Sequence, residues 1–473
     1  MKKTNKTIIA GNHTVIAGLT RNLLLFLLFI TTTSMAQTKQ WTLEECIQYA
    51  IDKNISIKQI ELQKTNAEVE LNTAQMSRLP ELNGSVGQNW EFGFSSGQNN
   101  VKSTNQKQSN SNFSLTTSMP LFTGFRIPNE IARNKLELKA ATENLAKAKE
   151  DLALNVASLF LQVLFNQEIL KVNEEQLSLS KTQVEKTRVL VEVGKIPQSQ
   201  LYDIEAQVAK DEVSVVQAKN NLNLALLDLA QSLELENTNG FDVYAPETGN
   251  VIAEYMSSVQ PPQVIFNNAL TIKPAIKAQE YKVESAEKTL NIAKSGYLPN
   301  LSLNAGYGTG YYYFYGLKDY INEAGELVHP TNRPFSNQIK ESGREYIGLS
   351  LSIPIFNRFS VRNQVRSAKI NINNQQLELD NVKKTLYKEI QTAYLNATAA
   401  QEKFRSSDKA VKATSESFNY AKERYEVGKS SVFEFNEART KYIQSQSEQI
   451  QAKYDYIFRT KILDFYNGVP IKL

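Results

Sequence analysis

The sequence is poor in the residues on which many enzymes and metal sites depend. Its 473 residues include one cysteine, Cys46, and two histidines, His13 and His329. A single cysteine cannot form an internal disulfide bond, and a histidine-based catalytic or zinc site would have to rely on His329. We therefore expect a protein that is not an enzyme and holds neither cofactor nor metal.

Long hydrophobic runs are also missing. The apolar run from Leu23 to Ile30 is far shorter than the roughly 20 residues of a membrane-spanning helix, and no other such run follows. Cations precede it, and the small-residue sequence Ser34-Met35-Ala36 comes after it. This order is typical of an export signal, which we assign to residues 1–36, with a short N-terminal anchor as the alternative.

The chain has little excess charge of either sign. The formal net charge is +4, and residues 1–36 account for it because they contain four cations and no acidic residue. An exported chain that begins near Gln37 is therefore close to neutral. Near neutrality argues against a nucleic-acid partner.

Two halves of the chain resemble each other. When Ala50 is aligned with Ala269, Leu79-Pro80 falls on Leu298-Pro299 without a gap, at an offset of 219. Such internal similarity indicates a duplicated structural unit.

Farther along the chain the offset between the halves changes. The motif "PLFTGFR" from Pro120 matches "PIFNRFS" from Pro354 at an offset of 234, which holds as far as Gly194 and Gly428. The second half therefore carries 15 additional residues between Pro299 and Pro354. We expect this insertion to form a loop at an exposed tip, where a change of length is tolerated.

Each half reads as helix, strand, loop, strand, long helix, tight turn and returning helix. The long helices carry apolar residues every seven positions, which predicts coiled-coil packing. In the first half these are Ile131, Leu138, Leu145, Leu152 and Leu159, followed by Val156, Val163, Leu170, Leu177, Val184 and Val191. A shift of 234 gives Val365, Ile372, Leu379, Leu386 and Ala393, then Ile390, Ala397, Phe404, Val411, Phe418 and Tyr425.

A tight turn interrupts each long helix. The two turns read "VEVGKIPQSQL" and "YEVGKSSVFEF". Gly194 can supply the left-handed conformation that ends a helix, and Pro197 fits the first turn of the next one. The returning helix has the same spacing of seven in Leu201, Val208, Val215, Leu222 and Leu229. At 1.5 Å per residue the outgoing helix is a rod of about 100 Å, and the spacing alone also fits a dimeric coiled-coil spacer.

Four segments of alternating polarity predict strands near 81–90, 111–120, 300–312 and 345–354. Segments of about ten residues with one apolar face are typical of a transmembrane β-barrel, with half-buried strands of a soluble sheet as the alternative. We expect the polar stretch "SSGQNNVKSTNQKQSNSN" to be a loop. The cluster Tyr311–Tyr315 predicts an aromatic girdle at a membrane interface or, alternatively, a packed surface loop. Four strands cannot close a barrel, so the chain must associate with copies of itself.

These features together resemble the TolC-like outer membrane channel family, whose members are also called outer membrane factors. The specific matches are "WTLEECIQYAIDKN" from Trp41, the Leu-Pro before the first strand of each half, "PLFTGF" and "PIFNRF", and the two Val-Gly-Lys turns. The resemblance covers essentially all of the chain after the export signal. It implies a mixed α and β fold of two tandem repeats, residues 37–245 and 246–473, that trimerises into a 12-stranded outer-membrane β-barrel on a periplasmic α-helical barrel.

The resemblance also implies a function. The chain would be the outer-membrane exit duct of a tripartite efflux pump that passively conducts small molecules such as drugs, detergents or metals. Its partners would be two further copies of itself, a periplasmic adaptor (membrane fusion) protein, an inner-membrane pump such as a resistance-nodulation-division transporter, and outer membrane lipid. The alternatives are the exit channel of a type I protein secretion system and, in another class, a secreted coiled-coil structural or adaptor protein.

Functional residues follow from the same resemblance. The tips at 193–197 and 427–431 would dock the adaptor through Val193, Gly194, Lys195, Val427, Gly428 and Lys429. Glu434 and Glu437, with Asp203 in the first half, would form a charged ring at the periplasmic entrance that favours cations. A solvated helix face is the alternative for these acidic residues. The segment Glu236–Pro262 would belong to a belt around the helical tunnel.

Overall fold

The computed structural model describes residues 40–95, 104–236, 238, 240–245, 260–321 and 324–472. The predicted export signal and most of the predicted belt segment lie outside the described residues. The described helices are α1 (Leu43–Lys53), α2 (Ile55–Met76), α3 (Arg126–Glu192), α4 (Gln198–Ser232), α5 (Pro262–Ile272), α6 (Pro274–Ser295), α7 (Phe335–Glu341), α8 (Ser360–Glu426) and α9 (Val432–Tyr466). The described strands are β1 (Gln40–Trp41), β2 (Glu81–Ser95), β3 (Thr104–Thr123), β4 (Asp242–Val243), β5 (Asn300–Tyr315), β6 (Tyr320–Ile321), β7 (Leu327–Val328) and β8 (Arg344–Ser352).

The two halves have helices of equal length. Helices α1 and α5 each have 11 residues, α2 and α6 have 22, α3 and α8 have 67, and α4 and α9 have 35. At 1.5 Å per residue, α3 and α8 are rods of about 100 Å. Each long helix also begins the same way, because Phe125 and Phe359, the residues before them, have left-handed φ angles of 65° and 60°.

The main hydrophobic core lies midway along α3. There Val156, Phe160, Val163 and Leu164 pack against α1 and α4, and also against residues of α9 such as Ile457. Helix α3 is the one helix within the described ranges with an 18-residue stretch apolar enough to cross a membrane. Because 39% of that stretch is buried and residues such as Phe160 and Leu164 belong to the core, we interpret it as a packed helix and not as a membrane span.

Strands β2, β3, β5 and β8 form one antiparallel sheet in that order. The register pairs Leu82 with Thr117, Thr117 with Ala305, and Ala305 with Ile347, and directly paired residues lie on the same face of a sheet. One face therefore carries the predicted apolar positions, namely Leu82, Val86, Phe113, Leu115, Met119, Leu301, Leu303, Tyr307, Leu349 and Leu351. The other face carries mainly polar and small residues, such as Asn83, Ser85, Ser114, Thr116, Asn304, Gly306 and Ser350. The predicted two-faced strands are confirmed.

Each predicted strand range differs from the observed bounds, and β2 and β5 continue to Ser95 and Tyr315. Strand β3 begins at Thr104 and pairs with β2 through Ser95 and Thr104, so much of the polar stretch predicted as a loop is strand. Strand pairing uses backbone groups, which is why a stretch of polar side chains can extend a hairpin. Strand β8 ends at Ser352, so Ile353 lies just beyond it.

The insertion in the second half is not a simple loop. It contains the short hairpin of β6 and β7, in which Tyr320 pairs with Val328, and helix α7. His329 lies exposed beside this hairpin, with its Nδ1 2.9 Å from Asp319. The ring of Phe335 in α7 packs edge-on against Tyr311 at a centroid distance of 5.2 Å. The predicted loop is therefore partly folded against the sheet, because Phe335 packs on the apolar face.

The aromatic cluster at 311–315 is divided between the two faces of the sheet. Tyr311, Tyr313 and Tyr315 pair with Ser111, Ser109 and Lys107, which places these three tyrosines on the apolar face. The intervening Tyr312 and Phe314 lie on the polar face, because side chains alternate along a strand. Only three of the five aromatic residues can therefore contribute to a girdle.

Candidate functional site

The two tight turns have the same backbone structure. The N–H of Lys195 donates to the carbonyl of Leu190 at 2.9 Å, and the N–H of Gly194 donates to that of Val191 at 2.9 Å. In the second half Lys429 donates to Arg424 at 2.8 Å and Gly428 to Tyr425 at 3.0 Å. This pair of bonds is the Schellman motif, in which a left-handed glycine ends a helix.

Conformation, and not crowding, accounts for glycine in both turns. The φ angle is +73° at Gly194 and at Gly428, and a Cβ atom added to either would meet no heavy atom within 4 Å. Helix α4 begins after Pro197, which is the residue that precedes the helix and not part of its first turn as predicted. Helix α9 begins after Ser431, whose hydroxyl accepts the N–H of Glu434 at 3.2 Å.

Apolar side chains are exposed around both turns. Val193 and Val427 are both exposed, and Phe433, on the first turn of α9, is 76% exposed. Val189 and Tyr202 add exposed apolar surface beside the first turn. Apolar side chains concentrated at the end of a rod are typical of a surface that another protein covers.

The two hairpins contact each other just above their tips. Val184, Leu201 and Ile204 of the first hairpin form one small buried cluster with Val432 of the second, and Tyr425 packs against it. An ion pair reinforces this contact on the surface, with Lys186 Nζ 3.2 Å from Glu426 Oε1. The tips are therefore held side by side as one end of the molecule.

The predicted entrance acids are partly neutralised within the chain. Glu434 lies 3.8 Å from Arg424, whose guanidinium also donates to the carbonyl of Lys429 at 3.3 Å. Glu437 lies 2.7 Å from Lys441. Asp203 is exposed and has no ion pair among the residues that the structure describes. The three acidic side chains are thus not equivalent, and Asp203 is the one without a compensating cation.

A buried polar cluster above the tips was missed by the sequence analysis. Arg439 of α9 is only 3% exposed, and it donates to Gln176 Oε1 and to the Gln176 carbonyl, each at 3.1 Å. Its guanidinium also donates to Asp211 Oδ2, which accepts from the hydroxyl of Ser180 as well. Gln207 donates to the other carboxylate oxygen of Asp211 at 2.9 Å. The cluster joins α3, α4 and α9 by charged hydrogen bonds.

A sequence signal for this cluster existed. On α4 a second set of buried residues repeats every seven positions, starting three residues after the predicted Leu201 series: Ile204, Asp211, Ala218 and Ala225. Asp211 therefore occupies a core position of a coiled coil, where a charged residue needs a buried partner. The choice of the Leu201 series hid this position.

Two further contacts tie α9 to α3. Glu168 of α3 accepts from Lys453 Nζ at 2.9 Å and from the hydroxyl of Tyr454 at 2.9 Å. Burial, together with the charge of Glu168, raises the pKa of Tyr454 above its usual range, so this hydroxyl remains a donor. Within the described ranges, no group of three or more His, Cys, Asp or Glu side chains is arranged to hold a metal ion.

Apolar residues also form an exposed stripe along α2. They recur every seven residues, and each is at least 49% exposed: Ile55 at 57%, Leu62 at 68%, Val69 at 57% and Met76 at 49%. Helix α8 carries exposed Ile370 and Leu377 with the same spacing. A stripe of this period is a coiled-coil surface, and none of the described helices covers it.

Comparison with known proteins supports the channel interpretation. The sequence profile of the family described as outer membrane efflux protein matches residues 46–234 and 265–463, which is more than half of the chain and one match in each half. Outer membrane protein TolC of Escherichia coli strain K12 is 22% identical over 392 residues, covering 82% of this chain and 74% of TolC. Toxin and drug export protein A of Aggregatibacter actinomycetemcomitans is 20% identical and covers 89% of this chain and 84% of that protein.

The fold is similar to that of a solved channel. The crystal structure of CusC, described in terms of folding and transmembrane channel formation, superposes with a TM-score of 0.71 at 17% sequence identity. The superposition covers 92% of this chain and 96% of CusC. At this identity the likeness speaks for the fold alone, and it confirms the predicted combination of long helical hairpins with strands.

The match to the family is long enough to decide membership. Members are passive channels of the outer membrane, so the expectations of an outer-membrane location and of a protein that is not an enzyme are confirmed. A secreted coiled-coil structural protein is excluded by the same result. The chain belongs to the outer membrane efflux protein family.

Proposed function

We propose that three copies of this chain form a continuous duct, with a 12-stranded barrel in the outer membrane and a tunnel of helices in the periplasm. The observation that carries this proposal is the sheet of β2, β3, β5 and β8, which is apolar on one face and polar on the other and has two open edges. In a bilayer every backbone N–H and C=O needs a partner, so an open sheet must be completed by other strands. Four strands are too few to close a barrel, whereas twelve suffice.

Exposure within the sheet supports closure between copies. The residues of β8 are exposed on both faces, while those of the inner strand β5 are mostly half-buried. On the apolar face Ile347, Leu349 and Leu351 are all more than half exposed, as expected of side chains that face lipid. We infer that β8 of one copy pairs with β2 of the next and that outer membrane lipid covers the apolar face.

The exposed stripes on the helices support the tunnel. The stripe of α2 has the period of a coiled coil, and so does the shorter stripe of α8. Side chains of this kind are stable in water when another helix covers them. We infer that helices of neighbouring copies supply that cover.

We further propose that the tips are where a periplasmic adaptor protein docks. Val193, Gly194 and Lys195 at one tip, with Val427, Gly428 and Lys429 at the other, combine exposed valines with lysines at the end of the rod. An inner-membrane pump, such as a resistance-nodulation-division transporter, would deliver cargo through that adaptor. The supporting features are the exposed apolar surface and the firm attachment of the tips to each other.

The cargo class is small molecules such as drugs, detergents or metals. Protein export remains the second candidate, because the name of one relative, Toxin and drug export protein A, includes both kinds of cargo. A host strain that lacks this chain distinguishes the two. We expect it to become sensitive to drugs, bile acids or metal ions, whereas loss of a secreted protein with unchanged sensitivity would favour protein export.

The proposed entrance ring has an unequal distribution of charge. With Glu434 beside Arg424 and Glu437 beside Lys441, we infer that Asp203 sets the net charge of the ring, one carboxylate for each copy. In planar bilayers, Asp203→Asn should reduce cation preference more than the double substitution of Glu434→Gln with Arg424→Gln, which removes an ion pair and leaves the net charge unchanged. Equal effects of the two variants would contradict this assignment.

The duct itself is tested by membrane fractionation and gel electrophoresis. We expect the protein in the outer-membrane fraction, running as a trimer without boiling and as a monomer after boiling. Recovery of a monomer or dimer from the soluble fraction would overturn the proposal.

A further inference from the structure

Helix α7 occupies a place in the barrel wall where a strand would be expected. Strand β8 pairs with β5 only as far as Arg344, which lies opposite Gly308, although β5 continues to Tyr315. The last seven residues of β5 therefore have β3 on one side and, among the residues that the structure describes, no strand on the other. An open edge of this kind needs cover in a membrane protein.

Side-chain amides from the insertion satisfy this edge. Gln338 of α7 accepts the N–H of Tyr312 at 3.0 Å and donates to the Tyr312 carbonyl at 2.9 Å. Two residues farther along β5, Asn332 does the same with Phe314, with both distances 2.8 Å. Each amide thus reproduces the pair of hydrogen bonds that a strand residue would make.

Two other contacts fix the orientation of α7. The hydroxyl of Thr309 donates to the carbonyl of Ile339 at 2.7 Å. On the apolar face, the ring of Phe335 meets those of Tyr311 and Phe113 at centroid distances of 5.2 and 6.3 Å. Helix α7 is therefore attached in line with β8, as a continuation of the wall and not as a free loop.

The difference in length between β2 and β8 indicates what lies on the side of α7 away from β5. Strand β2 has 15 residues and β8 has 9, so at least six residues of β2 lack a β8 partner in any register. Both strands meet the helical region at the same end, since α2 leads into β2 and β8 leads into α8. The uncovered part of β2 is consequently its far end, near residues 90–95.

We propose that α7 fills the seam between two copies and contacts the far end, residues 90–95, of the next copy's β2. The proposal rests on the trimeric duct proposed above, and its occupant is a second copy of this chain. Ser336 and Lys340 lie two positions before and after Gln338, which is about 200° around the helix. Since Gln338 faces β5, Ser336 and Lys340 face away from it, and both are exposed.

Disulfide trapping tests the seam. Ser336→Cys or Lys340→Cys is combined with a cysteine at each of positions 90–95, and the intact protein in outer membranes is oxidised, alkylated and boiled in detergent. We expect covalently linked copies for one or two neighbouring β2 positions. The buried native Cys46 remains in place, because it is shielded from the oxidant.

The control variants separate a seam from random collision. Lys318 is an exposed residue of the same insertion and precedes α7. Lys318→Cys, combined with the same β2 cysteines, should give no linked copies. The double substitution Asn332→Ala and Gln338→Ala, which removes both amides, should lower the yield of linked copies several-fold. The single substitution Asn337→Ala, at an exposed neighbour of Gln338, should leave the yield unchanged.

The outcomes distinguish this inference from the proposed duct. An unboiled trimer without links to any of positions 90–95, or with equal links from Lys318→Cys, would overturn the seam and leave the duct standing. The absence of an unboiled trimer would overturn both. A trimer whose links depend on the two amides supports both.

Discussion

The two helical hairpins have equal lengths and unequal surroundings. Helices α3 and α8 both have 67 residues and end in the same glycine motif, yet α3 has 17 buried residues and α8 has 9. The buried residues of α3 include Phe160 and Leu164, whereas four of the nine in α8 are alanines. Helix α3 is thus the centre of the single chain, and α8 is on its outside.

This difference indicates what a duplicated chain preserves. The lengths and turns of the two hairpins match because both hairpins must span the same distance. The side chains differ because α3 packs against α1, α2 and α4 of its own chain, while much of α8 is left for the neighbours in the proposed trimer. Positions that correspond in the two halves therefore provide matched experiments.

The largest expected difference in the free energy of unfolding is between alanine substitutions of Arg439 and of Glu205, its counterpart in the first hairpin. Arg439→Ala leaves Asp211 buried without its cation, and loss of one partner of a buried ion pair lowers the free energy of unfolding by about 3–5 kcal/mol. Glu205→Ala removes an exposed side chain and should change it by less than about 0.5 kcal/mol. Urea titration of the detergent-solubilised protein, followed by circular dichroism, measures both. Equal effects would show that Arg439 does not join the hairpins.

The second-largest difference in stability is expected between two leucines that occupy corresponding positions in the two halves. Leu161 is 4% exposed and Leu395, which is 234 residues later, is 66% exposed. Leu161→Ala should lower the free energy of unfolding by about 3 kcal/mol, because it opens a cavity in the core. Leu395→Ala should lower it by less than about 1 kcal/mol. The same urea titration applies, and a cost for Leu395→Ala as large as that for Leu161→Ala would place Leu395 in a buried contact between copies.

A smaller loss of stability is expected when the glycine of either tight turn is replaced, and here the two hairpins should behave alike. Gly194→Ala and Gly428→Ala each force alanine into a left-handed conformation, at a cost of about 1 kcal/mol. Since the φ angles are both +73° and neither site is crowded, the two costs should agree. Asparagine tolerates this conformation better, so Gly194→Asn and Gly428→Asn should be milder. Thermal melting followed by circular dichroism provides the comparison, and clearly different costs at the two tips would contradict their equivalence.

The smallest effect concerns the surface contact between the hairpins. Lys186→Ala removes the ion pair with Glu426, whose two side chains are about half exposed. Pairs of this kind contribute about 0.5 kcal/mol or less, and salt screens them. We expect a small decrease in melting temperature in dilute buffer that disappears in about 1 M salt. A decrease that persists in high salt would mean that packing of the lysine stem matters more than its charge.

The local signals were sufficient for most of the architecture. Spacing by seven predicts the long helices, and the Val-Gly-Lys motif predicts both turns, because only glycine readily adopts the left-handed conformation there. Alternation predicts the strands, and the register confirms that Leu82, Thr117, Ala305 and Ile347 share a face. The family resemblance predicts the class of protein, which the profile match confirms.

Contacts between distant segments were not predictable from the same signals. The start of β3 at Thr104 depends on pairing with β2, and α7 depends on an open edge of β5 that exists only because β8 is short. The link from Arg439 to Asp211 joins residues 228 positions apart. A single sequence does not identify the partner in such a pair, although the position of Asp211 in the repeat of seven indicates that it needs a buried one.

The sequence by itself determined the duplicated plan of this protein: the lengths of the rods, their turns and the two faces of the strands. These follow from local backbone preference and from the period of the apolar residues. Only the tertiary structure decided which hairpin forms the core, which acidic side chains pair with a cation and how the edge of β5 is covered. Those outcomes depend on contacts between side chains that are distant in the sequence. Burial and hydrogen bonding stabilise such contacts whatever the separation of the two residues along the chain.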